Sequence, residues 1–408
     1  MRAGLGKWEL TPPMGVELAG YGYYLGRCAQ SVRDPLYARA LALETDELRA
    51  LVISCDLLGL SRGVCEDVFA HAKMLGYAPE NVLIVSIHTH TGPCIKYHEG
   101  CGFVNDDYVA TVAPAICRAI DEAVADLDEV TALQKVFVPF EGDHIYNRTI
   151  ENGPVDRHVR GFSFTRQTHA PIAAVSAACH GVFRGISTAV SADFAGAVCR
   201  LLSAQGMLPI YLNGLCGDID PTEKGNDALL DSFAELITSK FESEKEPLPL
   251  TLSGGSLPFT LKLAPVTIED IHQAARQAVD AAGGESMPAA RVALTWEREM
   301  LMKFHRLNTQ EDITVKYLLL GGVPVIALPF EGFTEIGLLI RRLSGREDAL
   351  VLGCAEELLG YLPTKDDISR GTYAALESTF LYKRLPVVPG EAERLGEETG
   401  TALERILT

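Results

Sequence analysis

Several short runs of β-branched and aliphatic residues contain no charge, a pattern typical of strands that are buried on both faces. Such runs cover residues 82–87, 171–179, 209–212 and 349–354. Histidines end two of them, since His88 and His90 follow the first run and His180 follows the second. Alternation along a strand predicts that His88 and His90 face the same side. Open α/β sheets place their chemistry at the carboxyl ends of strands, so these histidines are candidate site residues.

Two β-hairpins are predicted from pairs of apolar runs separated by turn residues. The paired runs are 40–43 with 50–55, and 315–320 with 323–328. A segment beginning Glu-Thr-Asp-Glu separates the first pair, and Gly321-Gly322 separates the second. The second hairpin leads directly into Pro-Phe-Glu, which places Glu331 at the end of a strand as well.

Amphipathic stretches with apolar residues at helical spacing predict the helices. They cover residues 64–75, 108–127, 191–204, 229–241, 267–282 and 333–343. Asn105 is a predicted N-cap, and Thr267 with Asp270 predicts a capping box. No repeat, linker or domain boundary interrupts the pattern. We therefore expect the α/β fold class: a single large domain, residues 1–408, with a mixed β-sheet, flanking helices and a metal site at strand ends.

Composition narrows the class of protein further. The chain has 47% hydrophobic and 22% charged residues, which excludes disordered and fibrous proteins. Its net charge of −18 argues against nucleic acid and against an anionic membrane as partners. No apolar run reaches the roughly 18 residues of a membrane span, and the first residues lack the apolar centre of a signal peptide. We expect a cytoplasmic protein without stable membrane insertion, whose ten cysteines are buried thiols.

The strand-end residues suggest a metal site. His88, His180 and Glu331 follow three predicted strands, and a fourth strand leads toward Tyr361. Taken singly, each has a plain structural interpretation, as a core histidine, a helix-capping glutamate or a packed loop tyrosine. Taken together, two imidazoles and one carboxylate are the donor set of a catalytic zinc with an open position for water. Zinc is favoured over magnesium or calcium because imidazoles outnumber carboxylates.

A second possible metal-binding pattern lies close by. Cys94, His98 and Cys101 have the spacing C-x3-H-x2-C, but no second pair of matching spacing follows. We interpret this segment as a loop near the active site. Other sources of catalytic power are weaker, because the chain has no H-E-x-x-H, P-loop or dinucleotide-binding motif.

Five motifs in order along the chain resemble the catalytic domain of the neutral/alkaline, non-lysosomal ceramidases. They are Ser-Ile-His-Thr-His-Thr-Gly-Pro at 86–93, Asn-Arg-Thr at 147–149, Ala-Cys-His at 178–180, Pro-Phe-Glu at 329–331, and Tyr361-x-x-Thr364 with Tyr373 and Glu-Ser-Thr at 377–379. The resemblance implies a zinc-dependent amidohydrolase that cleaves a small-molecule N-acyl amide by a metal-activated water, with one Zn²⁺ per chain.

The resemblance also assigns roles to individual residues. His88, His180, Glu331 and Tyr361 match the metal-binding positions. The positions around the scissile amide are matched by His90, Arg148 and Tyr373. A histidine such as His90 can take and return a proton. Arg148 or Tyr373 can hold the developing oxyanion.

The chain departs from the family pattern in two ways. The family's Gly-Asp-x-Ser-Pro motif corresponds to residues 217–221 of this chain, where Asp220 occupies the serine position. We interpret Asp218 and Asp220 as residues that structure the loop or support the metal ligands. The chain also ends at Thr408, shortly after the tyrosine motif, so the family's C-terminal β-sandwich domain is expected to be absent. Without that domain and with a charge of −18, we expect a short-chain or soluble amide rather than long-chain ceramide as substrate.

Two alternatives are also compatible with the sequence. A TIM-barrel amidohydrolase or esterase also carries H-x-H on a strand, but it needs about eight βα units, and the chain shows too few. The other alternative is a non-catalytic, zinc-containing binding protein, against which the presence of His90, Arg148 and Tyr373 argues.

Overall fold

The computed structural model describes residues 1–23 and 25–408. The strands, in chain order, are β1 (Arg2–Glu9), β2 (Ser31–Val32), β3 (Tyr37–Glu44), β4 (Arg49–Cys55), β5 (Val82–Ser86), β6 (Asp128–Pro139), β7 (Ile145–Asn147), β8 (His158–Arg166), β9 (Ile172–Ser176), β10 (Ala189–Val190), β11 (Leu208–Tyr211), β12 (Ile219–Pro221), β13 (Glu246–Leu248), β14 (Leu252–Lys262), β15 (Gln310–Leu320), β16 (Val323–Ala327), β17 (Glu331–Gly332), β18 (Leu350–Leu352) and β19 (Tyr361–Leu362). The α-helices are α1 (Arg62–Met74), α2 (Asp106–Ala125), α3 (Asp193–Ala204), α4 (Asp227–Ser243), α5 (Ile268–Ala282), α6 (Pro288–Lys303), α7 (Thr334–Ser344), α8 (Lys365–Arg370), α9 (Glu377–Leu381) and α10 (Glu391–Leu407).

Two mixed sheets form the centre of the domain. The larger has nine strands in the order β11-β9-β8-β6-β1-β3-β4-β5, with β13 also paired to β6. The smaller has four strands in the order β14-β15-β16-β18. Each sheet combines antiparallel and parallel pairs: β4 runs parallel to β5 in the larger sheet, and β16 runs parallel to β18 in the smaller.

Three clusters of buried apolar residues pack these elements into layers. Inner-face residues of both sheets, such as Phe164 of β8 and Leu318 of β15, belong to one cluster, so the sheets pack face to face. The outer face of the larger sheet packs against α1 to α4. The outer face of the smaller sheet packs against α5, α6, α7 and α10. The result is a four-layer arrangement of helices, sheet, sheet and helices.

Local signals in the sequence explain several of these elements. The Asn105 side chain accepts a hydrogen bond from the backbone N–H of Tyr108 and caps α2. Thr267 and Asp270 form the predicted capping box of α5. Gly321 and Gly322 have φ values of 58° and 80°, as the tight turn between β15 and β16 requires.

The predicted fold class is confirmed, and so are both hairpins. The second sheet was not predicted, because most of β14 alternates glycine, serine and proline with single apolar residues instead of forming an apolar run. The strands form open mixed sheets, so the TIM-barrel alternative is wrong. None of the helices in residues 1–23 and 25–408 is long and apolar enough to cross a membrane.

One predicted geometry is wrong. β5 ends at Ser86, so His88 and His90 lie in the loop beyond the strand and strand alternation does not orient them. His88 instead has a left-handed backbone, with φ of 62°. The chain turns at this residue, and this turn brings the two imidazoles to the same place.

Candidate metal centre

The site lies where the ends of strands from both sheets meet. The larger sheet contributes the loops after β5 and β9, which carry His88, His90 and His180. These two loops are joined by a hydrogen bond from the His90 N–H to the Gly181 carbonyl, 3.0 Å long. On the other side, β17 pairs with β19 in a register that sets Glu331 directly beside Tyr361. With Arg148 after β7 and Tyr373 between α8 and α9, the seven predicted site residues come from six separate segments of the chain.

The imidazole of His88 is oriented by the backbone. Its Nδ1 lies 2.7 Å from the Leu58 carbonyl oxygen, so Nδ1 carries a proton and Nε2 faces the centre. This Nε2 lies 3.1 Å from Glu331 Oε2 but is not aligned for a hydrogen bond with it. His88 is therefore a fully buried imidazole that presents a free nitrogen to a carboxylate.

His180 is held in the same way on the opposite side of Glu331. Its Nδ1 is hydrogen-bonded to the Cys216 carbonyl, and its Nε2 lies 3.2 Å from the same Oε2 of Glu331. The His88 and His180 rings are 4.8 Å apart, centroid to centroid. Two imidazole nitrogens with fixed tautomers thus converge on one carboxylate oxygen, the arrangement that a bound cation requires of its ligands.

The other oxygen of Glu331 has a partner that the sequence did not suggest. The Tyr382 hydroxyl donates to Glu331 Oε1 at 2.5 Å. Tyr382 lies 51 residues after Glu331, and no spacing or motif in the sequence links the two residues. This hydrogen bond fixes the carboxylate so that Oε2 faces the two histidines.

His90 differs from the other two histidines. Neither of its ring nitrogens has a hydrogen-bond partner, although the residue is buried. Its ring centroid lies 5.0 Å from that of His88 and 5.5 Å from that of His180. Burial, together with His88 and His180, holds the pKa of His90 well below its usual range. His90 is therefore a neutral imidazole near pH 7, and neither of its ring nitrogens is engaged by another protein group.

The backbone of Gly20 lies directly against the His90 ring. Gly20 has φ of +104°, and a Cβ at this position would lie 2.5 Å from His90 Cγ. Only glycine satisfies both the left-handed backbone and the close approach. The N-terminal loop therefore fixes the position of His90 by direct contact.

Arg148 lies on the Tyr361 side of the centre. Its Nη2 donates to the Tyr361 hydroxyl at 2.9 Å and to the Gly217 carbonyl at 2.8 Å. Its Nη1 lies 3.4 Å from Asp220 Oδ1. The pairing of β7 with β12 brings these residues together, because Arg148 directly follows β7 and Asp220 lies in β12. The guanidinium is thereby fixed beside the tyrosine oxygen.

Asp218 and Asp220 have the structural contacts expected of them. Asp218 Oδ1 accepts from the Thr334 N–H at 2.8 Å, and its Oδ2 accepts from Asn147 at 2.8 Å. Asp218 thus joins the Arg148 loop to the start of α7. Asp220 also forms an ion pair with Lys224 at 2.6 Å, so its carboxylate is fully engaged.

Tyr373 lies at the mouth of the site. Its ring centroid is 5.9 Å from that of Tyr361, and 42% of the residue is exposed. A small cavity of about 40 Å³ lies below it. The cavity is lined by Gly20, Gly22, Leu58, His88, His90, His98, Cys101, Glu331, Tyr361, Tyr373, Leu381 and Tyr382. The loop that contains His98 and Cys101 therefore lies next to the site, as predicted.

Charge is distributed unevenly across the centre. Burial opposes ionisation of Glu331, but His88 and His180 outweigh it and hold the pKa of this carboxyl well below its usual range. Burial likewise opposes protonation of His88, and the Glu331 carboxylate outweighs it, raising the pKa of His88 to about 9. The space between Glu331 and the two anchored histidines thus favours a positive charge, while His90 stays neutral.

The donor set fits a divalent transition metal. Within the described residues, His88, His90 and His180 are the group of three donors whose ligand atoms lie within 4.8 Å of one another. All three are buried, and the free nitrogens of His88 and His90 have no hydrogen-bond partner. An unpartnered nitrogen in the interior is costly, and a cation between His88, His180 and Glu331 would satisfy that of His88. Imidazole-rich sites of this kind suit zinc and its neighbours better than magnesium or calcium.

Comparisons with known proteins show which fold carries this centre. No family model matches the chain, and no curated protein sequence matches it. Solved structures do match. The crystal structure of the neutral ceramidase from Pseudomonas aeruginosa superimposes with a TM-score of 0.75 over 99% of this chain and 74% of that chain, at 16% identity. The chain has the neutral ceramidase fold.

A second solved structure supports the same conclusion. A ceramidase complexed with C2 superimposes with a TM-score of 0.74 over 99% of this chain and 75% of that chain, at 15% identity. The resemblance predicted from five short motifs is thus confirmed at the level of the ceramidase fold. The match covers both sheets and therefore includes every element that contributes to the candidate centre.

Proposed function

We propose that the protein is a metal-dependent hydrolase of the ceramidase type, which cleaves an N-acyl amide. The observation that carries this proposal is the convergence of two backbone-anchored imidazoles, His88 and His180, on one oxygen of Glu331. The ceramidase fold supports the same reaction class. We further propose that residues 1–408 act as one zinc hydrolase domain, because the site draws on residues from both sheets.

His88, His180, Glu331 and Tyr361 are the proposed metal ligands, for one zinc per chain. His88 and His180 have their second ring nitrogen tied to a carbonyl, which is the usual arrangement of metal-bound histidines. Tyr361 lies beside Glu331 in the β17–β19 pair. Bound zinc supplies Lewis acidity and lowers the pKa of a water ligand to about 7.

The residues of the chain have separate tasks in amide hydrolysis. His90, neutral and without a fixed tautomer, accepts a proton from the attacking water and returns it to the leaving amine. Arg148 directs its guanidinium toward the Tyr361 oxygen and so toward the charge that develops on the carbonyl oxygen. Tyr373 borders the mouth and can donate a second hydrogen bond to that oxygen.

A serine nucleophile is not part of this proposal. The position that is serine in the resembled motif is Asp220 here, and its carboxylate is held by Arg148 and Lys224. A carboxylate engaged in two ion pairs is a poor nucleophile. Water is therefore the proposed nucleophile, and no acyl-enzyme should form.

The cavity supports a small substrate. Its volume of about 40 Å³ has room for only a few water molecules, whereas pockets for drug-sized ligands usually exceed 300 Å³. A short acyl group or a compact amine fits this space better than a long hydrocarbon chain. We therefore propose short-chain N-acyl amides as substrates and long-chain ceramide as a poor one.

A set of N-acyl amides of increasing acyl length tests the proposal, with detergent-solubilised ceramide as the longest member. We expect hydrolysis of the short amides, loss of activity with a chelator and recovery with Zn²⁺. The value of kcat/KM should fall with acyl length, and mass spectrometry should find no acylated serine. If the metal-loaded protein hydrolyses no amide at all, it is a binding protein. A steady rise of kcat/KM toward ceramide would overturn the substrate assignment.

A further inference from the structure

A larger cavity lies apart from the metal centre and shares no lining residue with the cavity there. Its volume is about 500 Å³, within the range of about 300–1,000 Å³ that is typical of small-molecule sites. One wall is a face of the paired strands β1 and β3, and the opposite wall is one side of α3 together with the start of β11. The proposed hydrolysis uses none of these four elements.

Arg39 of β3 directs an unused donor into this cavity. Only 5% of Arg39 is exposed, and its Nη1 donates to both carboxylate oxygens of Asp56 at 2.8 Å. Nε and Nη2 donate to no group in residues 1–23 and 25–408. Nε is fully enclosed and Nη2 is not, so a ligand in the cavity can reach Nη2. A charged donor largely removed from water is costly without an acceptor, and an anion would satisfy it.

A second cation lies next to Arg39. Lys7 is paired with Arg39 across β1 and β3, so the two side chains leave the same face of the sheet. Lys7 Nζ lies 4.4 Å, and the Arg39 guanidinium carbon 5.2 Å, from the centroid of the Tyr37 ring. The Lys7 ammonium is thus held by an aromatic ring and not by a carboxylate of the described part of the chain. Both positive charges border the cavity beside this ring.

The carboxylates in the cavity wall are already engaged. Asp34 accepts from the Ser191 hydroxyl at 2.7 Å and from the Ala192 N–H at 2.6 Å. Glu122 Oε2 accepts from the Lys7 N–H at 3.1 Å. The polar groups that lack a partner are therefore donors, which suits an anion. The fixed negative charges of Asp34 and Glu122 oppose an anion with two charges, such as a phosphate.

We propose that this cavity binds a monocarboxylate with an apolar body. The carboxylate accepts a hydrogen bond from Arg39 Nη2 and pairs with the ammonium of Lys7. The apolar body packs against the apolar part of the wall, which removes it from water. This part of the wall includes Leu5, Pro35, Leu208 and Pro209. The assignment does not depend on the proposed amide hydrolysis.

Isothermal titration calorimetry of the full chain with octanoate tests the proposal. Octanamide has the same chain length without the charge, and octylamine has the opposite charge. Octanoate should bind at one site, octanamide should bind about 10-fold or more weakly, because it lacks the charge-assisted hydrogen bond, and octylamine should not bind. The titrations are repeated after treatment with a chelator, because a carboxylate can also bind a metal ion. Octanoate binding at this site should not change.

Two variants locate the carboxylate. Arg39→Lys keeps a positive charge beside Asp56 but removes Nη2, so octanoate should bind about 10-fold or more weakly. Lys7→Gln changes an exposed side chain that the fold does not require, and it should weaken binding by about twofold to fivefold. Lys262→Gln is the matched control, since Lys262 is an exposed strand lysine of the smaller sheet, and its Kd should equal that of the wild type. Thermal unfolding verifies that each variant is folded.

Several results would overturn the assignment. They are absence of octanoate binding, equal affinity for octanoate and octanamide, and loss of octanoate binding after chelation. Unchanged octanoate affinity in Lys7→Gln and in folded Arg39→Lys would also overturn it. If Arg39→Lys does not fold, Lys7→Gln and the octanamide comparison decide between the outcomes. Amide hydrolysis is measured separately, so failure of the proposed function leaves this binding test intact.

Discussion

The three histidines of the centre differ in what holds their second ring nitrogen. Backbone carbonyls anchor Nδ1 of His88 and of His180, so each directs its Nε2 toward Oε2 of Glu331. His90 has no such anchor, and its position depends on packing against its neighbours. The anchored pair therefore suits ligand binding, and the third ring suits proton transfer.

Gly20→Ala tests this dependence on packing. The new Cβ would lie 2.5 Å from His90 Cγ, so the imidazole must move away from its position. We expect kcat/KM to fall by about 100-fold, since a displacement of about 1 Å in a catalytic group has effects of that size. Zinc content should stay at the wild-type level, because the three closest approaches of this Cβ are all to His90 and not to the anchored histidines. Both quantities are measured on the purified variant.

Gly26→Ala is the control for backbone strain. Gly26 lies in the same loop and also has a left-handed backbone, with φ of +78°, but a Cβ there meets nothing within 4 Å. Its kcat/KM should remain near that of the wild type. Equal losses in the two variants would show that strain in the loop, and not contact with His90, lowers the rate.

Which residues lie together at the centre was predictable from the sequence, and most of their contacts were not. The seven predicted residues do lie together, because motif order identifies positions without any knowledge of distance. The roles of Tyr382 and Gly20 were not predictable. Each acts through a contact with a residue 51 or 70 positions away in the chain, and no local pattern records such a contact.

At the scale of elements, a buried charge cluster connects the larger sheet to the helix that follows Glu331. Asp156, just before β8, accepts from Arg160 of β8 at 2.8 Å and pairs with Arg341 of α7 at 2.8 Å. All three residues are at most 7% exposed. Burial would raise the pKa of Asp156, but Arg341, His158 and Arg160 outweigh it and hold this pKa well below its usual range.

Asp156→Asn should therefore destabilise the protein by about 3–5 kcal/mol at pH 7, because two buried guanidinium groups lose their counter-charge. The folded-state pKa is depressed, so the carboxylate stabilises the protein above the unfolded-state pKa of about 3.9. This contribution is lost as the pH falls below that value toward the folded-state pKa. The difference between variant and wild type should accordingly shrink below about pH 4, as measured by urea unfolding at several pH values.

Asp231→Asn serves as the exposed control. Asp231 pairs with Arg200 at 3.8 Å, and both side chains are more than half exposed. Such a pair contributes about 0–1 kcal/mol, so its loss should have little effect at any pH. An effect of Asp156→Asn no larger than that of Asp231→Asn would contradict the structural role of the cluster.

Elements with strong local signals were predicted and the remainder were not. Capping residues and apolar runs identified α2, α5 and the β15–β16 hairpin close to their observed bounds. β14 forms the edge of the smaller sheet and exposes one face, so it lacks the apolar run of a buried strand. The turn at His88 depends on a left-handed backbone that the strand pattern did not indicate.

At the scale of the whole molecule, the site depends on two sheets packed face to face. The larger sheet supplies the three histidines, and the segments attached to the smaller sheet supply Glu331 and Tyr361. Neither half contains all four of the proposed ligands. Metal binding and the packing of the two sheets should therefore be coupled, so that bound metal stabilises the folded domain.

The most direct test of the account is the metal content of two histidine variants, measured by elemental analysis after dialysis. His180 is a proposed metal ligand, and His90 is the proposed proton carrier. His90→Ala should retain about one zinc per chain and lose activity, whereas His180→Ala should lose both. Loss of zinc from His90→Ala, or full zinc content in His180→Ala, would contradict this division of roles.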